Sequence, residues 1–394
     1  MVKKTIIKKK AQKNNKKESD SESETESKIE SKTEFTMESE TELEQSNMES
    51  EFDTISIQIK PEKMDILSKD IKSIYSSTID FPAINLGFQH YIHQSYSKNE
   101  IFSQFENRKK IYNIINDLEV KIDDYDKSIE SVVEKKYKTK IVDEAFYQLI
   151  EMGKTHKFLD QKSNITTLHI NDKKGGFAQA VMLYRKSSDK INVCSTDGVN
   201  ILDKSLKLSL IKDPKNLKAD LITAYGEHKW KSGYTAESEA FGLIIDEIQT
   251  ALKNQKEGGT FVLKMFETFT NVSCKIIEIL CNLYDKVYLV KPMTSRTSES
   301  EKFLVCTKFK ENKNMNKILD IKTGDKLVDL FPEHNLSIRD IMIKTNIMLS
   351  NRQYICLNRM FKYIQLQNFF GDEYHKNLNN QKKNSEKWLK LFSP

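Results

Sequence analysis

From residue 141 to about residue 310, strand patterns and helix patterns alternate along the chain, and this alternation constrains the fold more than any other feature. Strands separated by helical crossovers lie parallel in one sheet, with helices covering both of its faces. The sequence therefore predicts an α/β fold with a Rossmann-like sheet. Strands are predicted at 166–170, 191–194, 219–224, 260–266, 286–290 and 302–309, and helices at 175–185, 237–256 and 271–284.

Segments of different character flank this region. Residues 1–53 carry ten lysines and fourteen acidic residues, a composition that predicts a disordered tail. Residues 54–60 (TISIQIK) alternate like a strand, and residues 62–140 have mainly helical spacing. Helical spacing also recurs in 341–349 and 354–370. The predicted division is a charged tail (1–53), a mainly helical accessory region (54–140), a sheet domain (141–310) and a C-terminal helical cap (311–394).

The charge of the chain changes when the tail is left out. The tail carries −4 and the whole chain +6, which leaves +10 on residues 54–394. Excess positive charge favours a polyanion such as RNA as a partner, but it also serves solubility, and both interpretations stay open.

Several other classes of protein are disfavoured by the sequence. The five cysteines form no CxxC pair, and four lie in apolar runs, as buried thiols do in a reducing compartment. No stretch approaches the roughly 18 apolar residues of a membrane span, so an intracellular, cytoplasmic, soluble protein with no membrane partner is predicted. The histidines lack a metal-ligand spacing, so no metal is predicted. No GxGxxG follows the first strand, which disfavours NAD.

A Gly175-Gly176-Phe177 turn follows the first predicted strand and opens a helix. Glycines let backbone amides approach a ligand closely, and the helix presents its positive N-terminal end, so this unit can cradle a phosphate or a cofactor. Two consecutive glycines more often form only a turn. Asp197, after the second strand, could hydrogen-bond a cofactor ribose or simply serve its own turn.

Four stretches then occur in one order along the chain: GGF (175–177), ADLITAYG (219–226), GGTFVLKMF (258–266) and KPMTSRTSESEKFLVC (291–306). This order resembles the FtsJ-like family of RNA ribose 2'-O-methyltransferases over residues 141–310, and most closely the cap-methylating branch of large DNA viruses. Residues 368–375 (NFFGDEYH) are also similar to that branch. The resemblance implies a class I methyltransferase sheet, S-adenosyl-L-methionine (AdoMet) as cofactor, and RNA, in particular capped mRNA, as partner.

The resemblance also implies catalytic residues. Family members act through a Lys-Asp-Lys-Glu tetrad whose central lysine orients or deprotonates the ribose 2'-hydroxyl. Lys264 matches the central lysine and Glu301 the glutamate. Lys264 also lies inside the apolar run 261–266 (FVLKMF). A charge is costly in a strand buried on both faces, and this cost favours a functional role for Lys264 independently of the resemblance. Gln148 stands in place of the first lysine and Tyr225 in place of the aspartate.

The resemblance places the cofactor at the glycine turn and beside nearby acids. The candidate cofactor-binding residues are Asp172, Gly175, Gly176, Phe177, Asp197 and Asp220. Lys174 stands where the family usually has proline or glycine, and it would repel the cationic sulfur of AdoMet unless its side chain points away. Asp220 and Glu227 are candidates to replace the missing charge of the tetrad.

Two functions remain open from these residues. The first is an AdoMet-dependent ribose 2'-O-methyltransferase of mRNA caps, which Lys264 and Glu301 favour. The second is a catalytically inactive relative that binds RNA or serves as a scaffold beside other capping enzymes, which Gln148, Lys174 and Tyr225 favour.

Two further features bear on the partner and the source. Tyr225, Trp230 and Tyr234 could stack on a base or a methylated cap, although core packing would also explain them. The abundance of Lys, Asn and Ile suits the AT-rich genome of a virus, which would place the protein in host cytoplasm or in the virion.

Overall fold

The structure, a computed structural model, describes residues 52–62, 65–76, 84–99, 108–186, 188–195, 201, 206–227, 235–324, 327–365 and 371–393. The chain divides into two units, Met1–Phe52 and Asp53–Pro394, and the fold below is that of the second unit. Only Phe52 of the first unit is described, so the disorder expected of the tail stays a prediction.

A mixed sheet forms the centre of this unit. Its strands and those of a small ribbon are β1 (Ile55–Ile59), β2 (Ile74–Tyr75), β3 (Thr166–Ile170), β4 (Lys190–Cys194), β5 (Ser209–Leu210), β6 (Ala219–Ala224), β7 (Gln255–Met265), β8 (Tyr284–Lys291), β9 (Lys302–Phe309) and β10 (Leu327–Asp329). Eight of them form one sheet in the order β1-β8-β9-β7-β6-β3-β4-β5, and β2 pairs with β10. Strands β3 to β7 run parallel to one another, whereas β9 runs antiparallel to both β7 and β8. The predicted α/β, Rossmann-like methyltransferase fold is confirmed.

Helices pack on this sheet and beyond it. They are α1 (Leu86–Asn99), α2 (Arg108–Ile114), α3 (Ile129–Tyr137), α4 (Ala145–His156), α5 (Gly176–Arg185), α6 (Ala236–Asn254), α7 (Asn271–Leu283), α8 (Asn316–Leu319), α9 (Leu336–Gln365) and α10 (Asp372–Phe392). In α6, apolar residues recur every three or four positions and pack into the core with strand residues such as Phe261 and Leu263. None of the helices within the described ranges is long and apolar enough to cross a membrane.

The boundary between α6 and β7 differs from the prediction. The sequence predicted a helix at 237–256 and a strand at 260–266, with Gly258-Gly259 between them, but α6 ends at Asn254 and β7 begins at Gln255. Gln255 pairs with Ala219 and Thr260 with Leu221, so four residues of β7 face one residue of β6. Gly258 has φ +77, a conformation that glycine adopts without strain. The glycines therefore mark an irregularity inside the strand rather than the end of the helix.

The flanking regions join the same unit. β1, the strand predicted at residues 54–60, pairs antiparallel with β8 and extends the sheet. The two helical stretches predicted after residue 340 are parts of α9, whose end at Gln365 precedes residues outside the described ranges. The helical C-terminal region is thus confirmed, while the domain boundaries at residues 53, 140 and 310 stay predictions.

A buried carboxylate on α4 links these regions. Glu151 accepts hydrogen bonds from Trp388 Nε1 of α10 at 3.0 Å, from Thr54 Oγ1 at 2.5 Å and from Met293 N at 2.6 Å. Thr294 adds its backbone N–H and its hydroxyl. Glu151 therefore fixes α10 and the residues before β1 to the loop that leads into β9.

Candidate active site

The carboxyl ends of β3, β6 and β7 lie at one edge of the sheet, because these strands are parallel neighbours. Tyr225 directly follows β6, and Lys264 is the last residue but one of β7. β9 runs antiparallel to β7 in a register that pairs Lys264 with Phe303, so Glu301, just before β9, lies at the same edge. Gln148 reaches Glu301 from α4. The structure thus brings together the four residues predicted as tetrad positions.

Lys264 and Glu301 form a buried ion pair. Lys264 Nζ lies 3.0 Å from Glu301 Oε2, and each residue is only 8% exposed. Burial acts to raise the pKa of Glu301, but the positive charges of Lys264 and Lys291 outweigh it and lower that pKa below its ordinary value. Glu301 is therefore ionised at neutral pH.

The two positions without a tetrad charge still contact the pair. Gln148 Nε2 donates to Glu301 Oε1 at 2.7 Å, and Ser295 Oγ donates to the same oxygen at 2.9 Å. Tyr225 Oη lies 3.5 Å from Glu301 Oε2, and its ring centroid lies 4.0 Å from Lys264 Nζ. Burial and the charge of Glu301 raise the pKa of Tyr225 well above its ordinary value, so the phenol stays neutral.

A second, half-buried lysine, which the sequence analysis did not single out, supports the loop that carries Glu301. Lys291 Nζ donates to the carbonyl oxygens of Arg296, Glu299 and Glu301 at 2.7 to 2.9 Å, and to Ser295 Oγ at 3.0 Å. Burial lowers the pKa of Lys291 to about 8. Its sequence signal was only a lysine before Pro292 at the end of a strand, which resembles many surface lysines.

The glycine turn lies beside these residues. Gly175 has φ +89, which favours glycine, and a Cβ added at Gly176 would lie 3.0 Å from the Cβ atoms of Ala145 and Asp143. Both glycines are therefore needed for the turn to pack against the start of α4. Phe177 is fully buried, with its ring edge-on to that of Tyr225 at 4.8 Å between centroids.

The charged residues of the turn are held by local partners. Asp172 is buried and accepts the N–H of Ala178 at 2.9 Å, which caps the start of α5, and burial raises its pKa to about 6. Lys174 Nζ lies 2.8 Å from Asp143 Oδ2, so the lysine charge is compensated at the turn.

A buried acid that the sequence analysis missed connects the loops after β3 and β6. Asn171 Nδ2 donates to Glu247 Oε1 at 2.7 Å, and a Cβ added at Gly226 would lie 2.6 Å from the same oxygen. Burial raises the pKa of Glu247 to about 8. Glu247 lies on the mainly apolar inner face of α6, where Glu237 and Asn254 are also buried, so its sequence signal was weak.

The structure does not bring Asp220 to this edge. Asp220 is the second residue of β6, and it accepts the N–H of Thr166 at 3.0 Å and pairs with Lys256 Nζ at 2.6 Å. These partners lie at the starts of β3 and β7, so Asp220 is at the opposite edge of the sheet and is removed from the candidate cofactor residues. Asp197, Trp230 and Tyr234 lie outside the described residues.

A cleft of about 810 Å³ opens beside the tetrad positions, with Lys264, Tyr225 and Glu301 in its wall. Acidic side chains outnumber basic ones in its lining, which includes Glu119, Asp123, Glu130, Asp143, Glu144, Glu227, Glu299 and Glu301 against Lys121, Lys174, Lys264 and Arg296. Arg296 is itself paired with Glu119 at 3.0 Å and Glu144 at 2.5 Å. Within the described ranges these carboxylates form no group able to hold a metal ion. The cleft therefore favours a cationic ligand group.

The class of protein follows from the sheet order and from this edge of the sheet. Strands β3 to β7 are parallel, antiparallel β9 lies between β7 and β8, and a glycine turn follows β3. This arrangement is that of a class I methyltransferase. Residues 141–309 match the family model of the FtsJ-like methyltransferases. This part of the chain is therefore similar to that family.

Individual relatives match shorter stretches. Cap-specific mRNA (nucleoside-2'-O-)-methyltransferase 1 of Caenorhabditis elegans is 26% identical over 201 residues, which cover 45% of this chain and 21% of that protein. Cap-specific mRNA (nucleoside-2'-O-)-methyltransferase 2 of Pongo abelii is 35% identical over 121 residues, which cover 29% of this chain and 16% of that protein. The inactive methyltransferase 1B of Caenorhabditis briggsae is 25% identical over 148 residues, or 33% and 17% of the two chains. The matched part of the chain thus spans about a fifth of the relatives' length.

Proposed function

We propose that the protein transfers a methyl group from AdoMet to a ribose 2'-hydroxyl of RNA, in particular of capped mRNA. The observation that carries the proposal is the buried Lys264–Glu301 pair at 3.0 Å in the wall of a cleft. Two charges withdrawn from water at a cleft are costly, and such arrangements cluster at functional sites. The relatives are named for the same reaction on mRNA caps.

The residues beside the glycine turn fit AdoMet. Gly175 and Gly176 leave the backbone open to close approach. Lys174, which could repel a cationic cofactor, is paired with Asp143. The acidic lining suits a ligand with positive charges on its sulfur and its amino group. Asp172, by capping α5, would stabilise the conformation of the turn, and the buried ring of Phe177 would anchor the turn in the core.

Lys264 and its partners would act on the hydroxyl. When bound, AdoMet supplies an electrophilic methyl group. An N–H of Lys264 would donate to the 2'-oxygen and orient its lone pair for the reaction. As the O–C bond forms and the S–C bond breaks, the hydroxyl proton would pass to water in the open cleft. Glu301 holds the ammonium in place, and Gln148, Ser295 and Lys291 hold the segment that carries Glu301.

The charge of the cleft bears on the substrate. RNA phosphates need positive charge, which the lining of this cleft does not provide in excess. A methylated cap carries positive charge on its base, so we place the cap end of an mRNA in the cleft. The +10 charge of residues 54–394 would then serve the rest of the RNA.

An inactive protein is the second candidate function. Gln148 and Tyr225 both contact Glu301, but neither carries the charge of the lysine or aspartate that it replaces. Catalytic residues that act as a unit lose much of their effect on the rate when partners are missing. One relative carries the word inactive in its name. Such a protein would bind RNA or serve as a scaffold beside other capping enzymes. We also propose that the protein belongs to the viral branch of the family and acts in the cytoplasm.

Titration of AdoMet into the full chain, followed by calorimetry, separates the two functions. We expect saturable binding with a dissociation constant in the micromolar range, about −8 kcal/mol, because the turn and the acidic lining fit the ligand. S-adenosyl-L-homocysteine serves as the matched ligand without the sulfonium charge. A folded protein that binds neither ligand would contradict the enzyme and favour the scaffold.

A further inference from the structure

Tyr225 stands in place of an acid, yet it contacts both members of the buried pair. Its ring centroid lies 4.0 Å from Lys264 Nζ, well within the range of a cation–π contact. Phe266 offers a second ring to the same ammonium, at 5.5 Å. Lys264 is therefore held between one carboxylate and aromatic faces rather than between two carboxylates.

The ring of Tyr225 is itself fixed in place. Phe177 packs edge-on against it at 4.8 Å, and Phe303 stacks nearly parallel to it, with 6.3 Å between centroids and 12° between planes. Phe177 belongs to the glycine turn and Phe303 pairs with Lys264 across β7 and β9. The glycine turn on one side and the β7–β9 strand pair on the other thus set the position of the Tyr225 ring.

We propose that Tyr225 is a positioning residue that substitutes a cation–π contact for the missing carboxylate and aims the Lys264 ammonium at the substrate oxygen. A second carboxylate would accept another of the three N–H donors of the ammonium. A ring face attracts the cation without a directed hydrogen bond, so it leaves those donors for the cleft. This inference rests on the proposed methyl transfer.

The inference predicts that the ring, and not the hydroxyl, carries the effect. Tyr225→Leu should lower kcat for methyl transfer about tenfold to thirtyfold, the rate equivalent of one desolvated cation–π contact, with KM for RNA nearly unchanged. Tyr225→Phe should retain kcat within about threefold. Tyr225→Asp should not raise kcat, because the new carboxylate competes for the N–H donors of Lys264. A higher kcat in Tyr225→Asp would overturn the inference.

Tyr184 offers a matched control. Lys154 Nζ lies 5.6 Å from its ring, and Tyr184 is near the end of α5, away from the glycine turn at the start of that helix. Tyr184→Leu removes a cation–π contact of the same kind and should leave kcat unchanged. Thermal unfolding of each variant shows whether it remains folded.

A second measurement does not depend on activity. In protein labelled with ¹³C-lysine, the ε-methylene protons of Lys264 should be shifted upfield by the Tyr225 ring, with the signal assigned by its loss in Lys264→Met. The shift should persist in Tyr225→Phe and disappear in Tyr225→Leu. If the wild-type protein shows no such shift, or if Tyr225→Leu transfers methyl groups at the wild-type rate, the positioning role is wrong. A wild-type protein that shows the shift but transfers no methyl group contradicts the proposed function itself, and the ring contact is then only structural.

Discussion

Replacement of Lys264 with methionine is expected to lower kcat for methyl transfer about a hundredfold to ten-thousandfold, the usual effect of removing a group that orients or moves a proton in the transition state. Lys264 Nζ lies 3.0 Å from Glu301 and lines the cleft, so its loss removes the donor to the 2'-oxygen and leaves a buried carboxylate unpaired. Affinity for AdoMet should change little, because Lys264 is assigned to the 2'-oxygen and the glycine turn to the cofactor. Steady-state rates and calorimetry measure the two effects.

Two variants separate chemistry from folding. Lys264→Arg retains a cation for Glu301 but changes the shape and direction of its donors, so it should fold well and still lose most of its activity. Lys256→Met is the matched control on the same strand, since Lys256 pairs with Asp220 at the opposite edge of the sheet. Equal activity of Lys264→Met and the wild-type protein would show that Lys264 takes no part in turnover.

Replacement of Glu151 with leucine is expected to lower the free energy of unfolding by about 3–5 kcal/mol, because several buried donors lose their shared acceptor. Glu151 is fully buried and accepts from Thr54, Met293, Thr294 and Trp388. The loop from Met293 leads to Glu301, so methyl transfer should fall as well. Denaturant unfolding measures the stability, and retained stability would contradict the role given to this carboxylate.

The link between Glu151 and the C-terminal helix has its own test. Trp388→Phe keeps the buried ring but removes the Nε1 donor at 3.0 Å from Glu151. Combined with Glu151→Gln in a double-mutant cycle, it should give an interaction energy of about 1 kcal/mol or more between the two side chains. Additive effects would mean that this hydrogen bond contributes little to holding α10 in place.

The sequence predicted most strands of the sheet, but not β5 or the start of β7. β3, β6 and β9 follow the predicted bounds, because each is a short apolar run between clear turn signals. Lys264 stood out because a lysine inside a buried strand is costly, and that physical reason holds without any resemblance to a family. Gln148, in contrast, was reached only through the resemblance, since a glutamine on a helix has no signal of its own.

Other parts of the site depend on contacts far apart in the chain. The loop that carries Glu301 is supported by Lys291 beneath it and by Arg296, which pairs with Glu119 some 177 residues away in sequence. Asp220 had the right residue type but lies near the start of its strand, whereas ligands bind at the carboxyl ends of parallel strands. Its position in the predicted strand 219–224 was therefore already an argument against it. The acidic character of the cleft was also hidden, because its carboxylates come from separate segments of the chain.

The neutral residues at two tetrad positions need not abolish activity. Gln148 retains a 2.7 Å hydrogen bond to Glu301, and Tyr225 retains contact with the ammonium of Lys264. Both residues thus keep contact with the Lys264–Glu301 pair and lack only the charges of the residues that they replace. Lys291 supplies a second positive charge, which lowers the pKa of Glu301. These features favour an enzyme over a scaffold.

The most direct test of this account is transfer of a labelled methyl group from AdoMet to capped RNA by the full chain, with the product nucleotide mapped by nuclease digestion and mass spectrometry. Matched RNAs whose first transcribed nucleotides already carry 2'-O-methyl groups serve as the control. We predict that label appears on a ribose 2'-oxygen near the cap of the unmodified RNA, and that it is absent with Lys264→Met. Label on a base, or no transfer by a folded protein that binds AdoMet, would contradict the proposed reaction.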